Sequence, residues 1–163
     1  MRRDDRVEYE LVFRSSYASV LRTAFLVLHD KGRAEEVTQE AFLRLYERWR
    51  KAIRYDHPVA WVRTVAVREA IRRAERERRQ MVMELVDDRG ADDRHRDLDL
   101  LDAVAALPPR QRAAVALYYL EDRPIDEIAV LMEVSSSTVK QHLFQARNRL
   151  GVALLEGVSG DGE

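Results

Sequence analysis

Residues 123–150 constrain the fold most, because their apolar side chains keep a helical period on both sides of a short break. The spacings of three and four predict two helices, each with one apolar face that packs inward. Val134 lies in the break as an apolar residue inside a tight turn. The apolar positions of the two helices are Ile128, Ala129, Met132, Val139, Leu143, Ala146 and Leu150.

The outward face of the second predicted helix carries hydrogen-bonding side chains that are long enough to reach base edges and phosphates. Its start, Ser135 to Thr138, supplies hydroxyls for an N-cap. We expect Lys140, Gln141 and His142 to be exposed. The pattern favours a helix-turn-helix that offers its second helix to DNA, and the alternative is an ordinary helical hairpin with a solvated face.

Helical periodicity also organises the rest of the chain. A first helix is predicted to end near Asp30, a second to run from about 33 to 51, and a third from Pro58 to about Gln80. Past residue 98 the pattern predicts four helices, including the hairpin. No strand-like alternation is long enough to build a sheet, so we expect an all-α protein of two helical domains.

The predicted domain bounds follow from a loss of periodicity. Between Val86 and Asp97 a glycine appears and aspartates outnumber arginines, which is typical of a flexible acidic linker. We therefore place the first domain at 5–82, the linker at 83–97 and the second domain at 98–157.

The composition argues against catalysis by the chain itself. Cysteine is absent and the four histidines have no ligand spacing, so we expect no metal site and no cofactor. Ser135 to Ser137 have no partnering base at a recognisable spacing, so we expect no catalytic residues. The N-terminus is charged and no window approaches the length that spans a bilayer, which predicts a soluble cytoplasmic protein without membrane insertion.

The third predicted helix ends in a run rich in arginine. Residues 68–79 hold six arginines against three glutamates. Such an end suits phosphates, and we expect Arg72 and Arg73 to anchor a DNA backbone. Intrahelical pairs between Glu and Arg on a solvated helix are the alternative.

The order of these segments resembles that of an extracytoplasmic-function (group IV) sigma factor of bacterial RNA polymerase, which carries region 2 and region 4. Residues 33–43, RAEEVTQEAFL, are similar to the family pattern D-A-E-D-L-V-Q-E-x-F-L. The resemblance implies that this segment docks on the clamp helices of the polymerase β′ subunit. The implied polymerase-binding residues are Glu36, Gln39, Glu40 and Leu43.

The next segment, residues 58–68, is similar to W-L-x-R-I-A-x-N, which in the family reads and melts the −10 element. Trp61 fits a core anchor better than a base-stacking platform. Arg54 and Tyr55 lie in the connector, where a flipped base would be held, although a surface loop explains them equally well. The residues assigned to −10 DNA are Arg54, Tyr55, Trp61, Arg63, Arg68, Arg72 and Arg73.

Residues 107–112 and the hairpin resemble the L-P-x-x-x-R motif and the −35-reading helix-turn-helix of region 4. Glu133 stands where the family often has a turn glycine, and His142 where it often has arginine. The residues that the resemblance assigns to −35 DNA are Ser136, Ser137, Thr138, Lys140, Gln141, His142 and Arg147.

The resemblance implies a sigma factor that directs core RNA polymerase to promoters. The implied partners are the β′ clamp helices and β flap of core polymerase, promoter DNA and an anti-sigma factor. The alternative is a stand-alone dimeric helix-turn-helix regulator whose first domain dimerises or senses a ligand. That alternative leaves the 33–43 segment unexplained.

Overall fold

The computed structural model describes residues 2–52, 57–85 and 100–159. All the regular secondary structure in these ranges is helical, which confirms the predicted all-α class. The chain forms two compact units, residues 1–72 (unit 1) and 73–163 (unit 2). The predicted linker lies almost wholly outside the described residues, and its first three residues belong to a helix.

Unit 1 is built on a helical hairpin. Helix α1 spans Arg3–Leu28 and α2 spans Lys31–Glu47. His29 adopts the left-handed conformation that ends α1, and the Asp30 carboxylate caps α2 by accepting from the backbone N–H of Arg33 at 3.0 Å. This two-residue turn makes α1 and α2 antiparallel neighbours.

The second predicted helix is interrupted at Arg48. A short helix α3, Trp49–Ala52, follows α2, and α4 then spans Pro58–Leu85, five residues beyond the predicted end at Gln80. Proline suits the first turn of α4, because its missing N–H would have no helical partner there.

The core of unit 1 lies along the facing sides of these helices. Its largest fully buried side chains include Phe42, Leu45, Val20, Val27 and Val62. An aromatic cluster closes one end, where the Tyr9 hydroxyl donates to the Phe42 carbonyl at 2.9 Å. Burial raises the pKa of Tyr9, so this hydroxyl stays protonated as a donor.

The expectation that no segment approaches the length that spans a bilayer was wrong for α1. By length and composition α1 is long and apolar enough to cross a membrane. About a third of its most apolar window is buried in the structure. Part of that apolar surface, including Val20, Ala24 and Val27, is core. The exposed remainder includes Val7, Leu11 and Phe25.

Besides the C-terminal part of α4, the described part of unit 2 contains four α-helices past residue 98, as predicted. They are α5 (Leu100–Ala105), α6 (Pro109–Val115), α7 (Ile125–Met132) and α8 (Ser136–Ser159), and a π-helical segment, Ala116–Leu120, continues α6. The prolines at 108 and 109 end one helix and start the next. The Arg112 guanidinium donates to the Ala105 carbonyl at 2.8 Å, which ties the end of α5 to α6.

The core of unit 2 is the apolar stripe of α8 packed on α6 and α7. Val139, Leu143 and Ala146 are at most 1% exposed, as the spacing predicted, and they lie with Leu117 and Ile128, which are fully buried. The neighbouring Phe144 lies on the other side of α8 and is 64% exposed.

We predict that Leu143→Ala lowers the stability of unit 2 by about 2 to 5 kcal/mol, because it leaves a cavity in this core. The matched control Phe144→Ala should change stability by less than about 0.5 kcal/mol. Both tryptophans lie in unit 1. Urea unfolding followed by circular dichroism should therefore shift, while the tryptophan fluorescence transition stays in place. Equal effects of the two substitutions would contradict the placement of α8.

Candidate nucleic-acid interface

The turn between α7 and α8 is tight and left-handed at one residue. Glu133 has φ 58° and ψ 42°, a conformation that costs a non-glycine residue about 1 kcal/mol or more. The Glu133 N–H donates to the Val130 carbonyl at 3.3 Å, and the Val134 N–H to the Ala129 carbonyl at 3.0 Å. These two hydrogen bonds terminate α7 and turn the chain toward the start of α8.

Ser135 caps the start of α8, as the hydroxyl run predicted. Its Oγ accepts from the Thr138 N–H at 3.1 Å and its carbonyl accepts from the Val139 N–H at 3.1 Å. The Ser136 hydroxyl instead donates to the Asp126 carboxylate of α7 at 2.8 Å. Ser136 is therefore half-buried and joins the two helices of the hairpin.

Four of the seven residues assigned to −35 DNA are exposed on α8: Ser137, Lys140, Gln141 and Arg147. Phe144, which was not among the predicted site residues, lies one helical turn after Lys140 and Gln141. A phenyl ring exposed between polar residues is suited to apolar contact with a thymine methyl group. Its position off the Val139–Leu143–Ala146 stripe was the signal in the sequence.

The expectation that His142 is exposed was wrong. His142 is half-buried at the edge of the α8 core stripe, and its Nδ1 is buried without a hydrogen-bond partner in the part of the chain that the structure describes. Burial lowers the pKa of His142, and the Arg110 charge lowers it further, so the imidazole is neutral at pH 7. Thr138 is also half-buried.

Side chains of α6 hold the hairpin in place. The Arg110 guanidinium donates to the Met132 carbonyl at 3.4 Å, close to the end of α7. The buried Gln111 amide donates to the Gln145 side chain of α8 at 3.2 Å. The reading face of α8 is thus positioned by polar contacts as well as by its core stripe.

In unit 1, α2 presents a mixed acidic and apolar face. Glu36, Gln39 and Leu43 are exposed, whereas Glu40 is partly covered and paired with Arg44 one turn along the helix. Tyr46 is 39% exposed one turn after the 58% exposed Leu43. The exposed face of α2 therefore extends to Tyr46, beyond the four residues assigned to polymerase binding.

The residues assigned to −10 DNA differ in their accessibility. Trp61, Arg63, Arg68 and Arg73 are half-buried, and Arg72 is exposed, 3.6 Å from Glu69. The Arg63 guanidinium donates to the Ser19 hydroxyl of α1 at 3.0 Å, so it helps to hold α4 on α1. Arg54 and Tyr55 lie outside the described residues. Within residues 2–52, 57–85 and 100–159 no group of three or more His, Asp or Glu side chains could hold a metal ion.

Two segments of the chain match known protein families. Residues 12–80 match the model of Sigma-70 region 2, and residues 97–150 match that of Sigma-70, region 4. The chain is 31% identical over 150 residues to the RNA polymerase sigma-E factor of Streptomyces avermitilis, covering 88% of this chain and 83% of the relative. It is 26% identical over 140 residues to the RNA polymerase sigma factor SigV of Bacillus subtilis, covering 82% of each.

Among solved structures, the sigma factor RpoE of Bartonella quintana, crystallised in complex with the anti-sigma factor NepR, has a similar fold. The TM-score is 0.67 at 19% sequence identity, and the alignment covers 91% of this chain and 97% of that one.

The partial burial of His142 predicts a pH-dependent stability. The unfolded chain takes up a proton near the ordinary pKa of 6.5, whereas the folded chain resists it. The stability contributed by neutral His142 is therefore complete above 6.5 and is lost as the pH falls through 6.5 toward the lower folded pKa. Between about pH 7.5 and 5.5 the melting temperature should fall more for the wild type than for His142→Gln. Parallel pH profiles would contradict the burial.

Proposed function

The chain belongs to the sigma-70 family of RNA polymerase sigma factors, and we propose that it acts as an extracytoplasmic-function sigma factor whose α8 reads the −35 element. It directs core RNA polymerase to promoters and supports initiation by DNA binding. The conclusion depends most on the helix-turn-helix in unit 2, which exposes the polar face of α8, in a chain that carries region 2 and region 4 in order.

The structure supports a division of labour along α8. Ser137, Lys140, Gln141 and Phe144 share its outer face and are exposed, so they are our candidates for base contacts. Arg147 is suited to a phosphate. Ser136, Thr138 and His142 are half-buried, and we assign them to positioning and to contacts at the edge of the groove.

We place the polymerase-binding surface on α2. Glu36, Gln39, Glu40 and Leu43 combine carboxylates and an amide with an exposed apolar group. Such a face suits a basic coiled-coil partner such as the β′ clamp helices better than it suits DNA. The stand-alone dimeric regulator leaves this face without a role, and the match of residues 12–80 to region 2 favours the sigma factor.

For the −10 element we keep Arg72 as the most accessible phosphate contact, with Arg68 and Arg73 beside it on α4. The sequence-derived bounds of 5–82 and 98–157 remain our assignment for the two functional domains. The region matches at 12–80 and 97–150 support them.

We place the protein in the cytoplasm with the polymerase and its DNA, and we assign the catalytic step to the polymerase rather than to this chain. We also propose that this protein contacts the β flap of core polymerase. An anti-sigma partner is proposed because the similar RpoE fold was crystallised with one.

The −35 assignment predicts base-specific effects. In holoenzyme bound to a promoter that it selects, Lys140→Ala, Gln141→Ala or Phe144→Ala should each leave thermal stability nearly unchanged. Where the replaced residue contacts a base, the substitution should lower discrimination at one −35 position by about 1 to 3 kcal/mol. A scan of −35 base substitutions against each variant measures this. The control is Val130→Ala, an exposed apolar residue on α7. Wild-type base profiles in all three variants would refute α8 as the reader.

The α2 assignment predicts a loss of affinity for core polymerase. Gln39→Ala with Glu40→Arg should weaken binding in a titration against core enzyme, while stability changes by less than about 0.5 kcal/mol, because these are surface positions. Glu8→Arg, on exposed α1 surface, makes the same charge change and should bind like the wild type. Equal affinity of all three proteins would remove α2 from the interface.

A further inference from the structure

Gln111 differs from the other buried polar side chains in the part of the chain that the structure describes. Those three are hydroxyls, and Ser16, Thr23 and Thr38 each donate to a backbone carbonyl four residues earlier in their own helix. Gln111 is 7% exposed and lies on α6, yet its Nε2 donates to Oε1 of Gln145 on α8 at 3.2 Å. Its hydrogen bond therefore holds a side chain of another helix.

Stability does not explain this hydrogen bond. The Oε1 atom of Gln111 is buried without a hydrogen-bond partner among the described residues. A buried acceptor without a partner costs at least as much free energy as a single hydrogen bond returns. Methionine, an apolar side chain of the same length, would fill the space without that cost. Gln111 is therefore better explained by its effect on Gln145.

The hydrogen bond fixes which way the Gln145 amide faces. Its oxygen accepts from Gln111, so its NH2 group lies on the other branch of the amide. The reverse orientation would leave both N–H groups of Gln111 buried without an acceptor among the described residues, and unpaired buried N–H groups are rarer in proteins than unpaired carbonyls. Gln145 is exposed, so its NH2 group is available to bond outward.

Gln145 continues the reading face of α8. It follows Gln141 by four residues, so the two side chains lie one above the other on the same side of the helix. Both are exposed. Gln145 was not among the residues assigned to −35 DNA, and it extends by one turn the polar surface that α8 offers to the major groove.

We propose that Gln145 is a further specificity-determining residue of α8, that Gln111 is its positioning residue, and that the pair recognises a hydrogen-bond acceptor on a base edge of the −35 element. The inference rests on the proposed function, since it requires α8 to enter the major groove.

The fixed amide predicts which base is preferred. A glutamine that can rotate pairs best with adenine, because its oxygen accepts from N6 while its NH2 group donates to N7. With that oxygen engaged by Gln111, Gln145 only donates. Guanine then fits best, because its edge presents two acceptors, N7 and O6, and cytosine fits worst, because its edge presents only a donor.

The first test is selection by holoenzyme from promoter fragments with a randomised −35 element, followed by sequencing of the bound fragments. Wild-type holoenzyme should prefer guanine over adenine and cytosine at one −35 position. Gln145→Met keeps the length of the side chain and removes the amide, so it should lower that preference at least about fivefold and leave the other positions unchanged. An unchanged base profile would overturn the proposal. So would an equal loss on every sequence, which a phosphate contact would produce.

The second test separates the positioning role of Gln111 from packing. Gln111→Met frees the Gln145 amide to rotate, so adenine should gain at least about fivefold relative to guanine at the same −35 position. The melting temperature of the full chain should be no lower than that of the wild type. In a Gln145→Met background, Gln111→Met should leave the base profile unchanged, because it acts only through Gln145. A clearly lower melting temperature, no gain of adenine, or a changed profile in that background would overturn the positioning role.

These outcomes are distinguishable from a failure of the proposed function. Altered base profiles for Lys140→Ala and Gln141→Ala, together with a wild-type profile for Gln145→Met, would overturn this inference alone. A wild-type holoenzyme without any −35 preference would overturn the assignment of α8, and this inference with it.

Discussion

The reading face of this protein depends on the burial of one apolar stripe. Val139, Leu143 and Ala146 fix the rotation of α8 against α6 and α7, and that rotation decides which side chains can reach DNA. Truncating a buried leucine costs a large part of the stability of a small domain, so the stripe and the function are coupled. The Ser135 cap and the Ser136–Asp126 bond then set where the helix begins.

In unit 1, too, the burial of the core decides which helical faces remain in solvent. The turn at His29 and Asp30 pairs α1 with α2, and the shared core of Phe42, Leu45 and Val20 leaves two further faces in solvent. The α2 face combines acidic and apolar groups, while the outer side of α1 exposes Val7, Leu11 and Phe25. Both are helical surfaces that remain available after the core is complete.

Much of this organisation follows from periodicity. The inward residues of α8, the capping role of the Ser135 run and the helical start at Pro58 were all predictable, because apolar spacing, hydroxyls and proline act locally. The break of α2 at Arg48 and the burial of His142 were not, since each depends on which neighbours pack nearby. The exposure of Phe25 was missed because its spacing also fits the period of the inner face of α1. Phe144 was missed because the outward face of α8 was predicted from its hydrogen-bonding side chains alone.

Transcription in vitro with core RNA polymerase, on a pool of genomic fragments, tests the central claim most directly. With this protein added, we predict initiation at a defined set of start sites that share a −35 and a −10 element, and no such initiation with core enzyme alone. Binding of the protein to the same fragments without any change in where core polymerase initiates would contradict the account, since a stand-alone DNA-binding regulator would behave in that way.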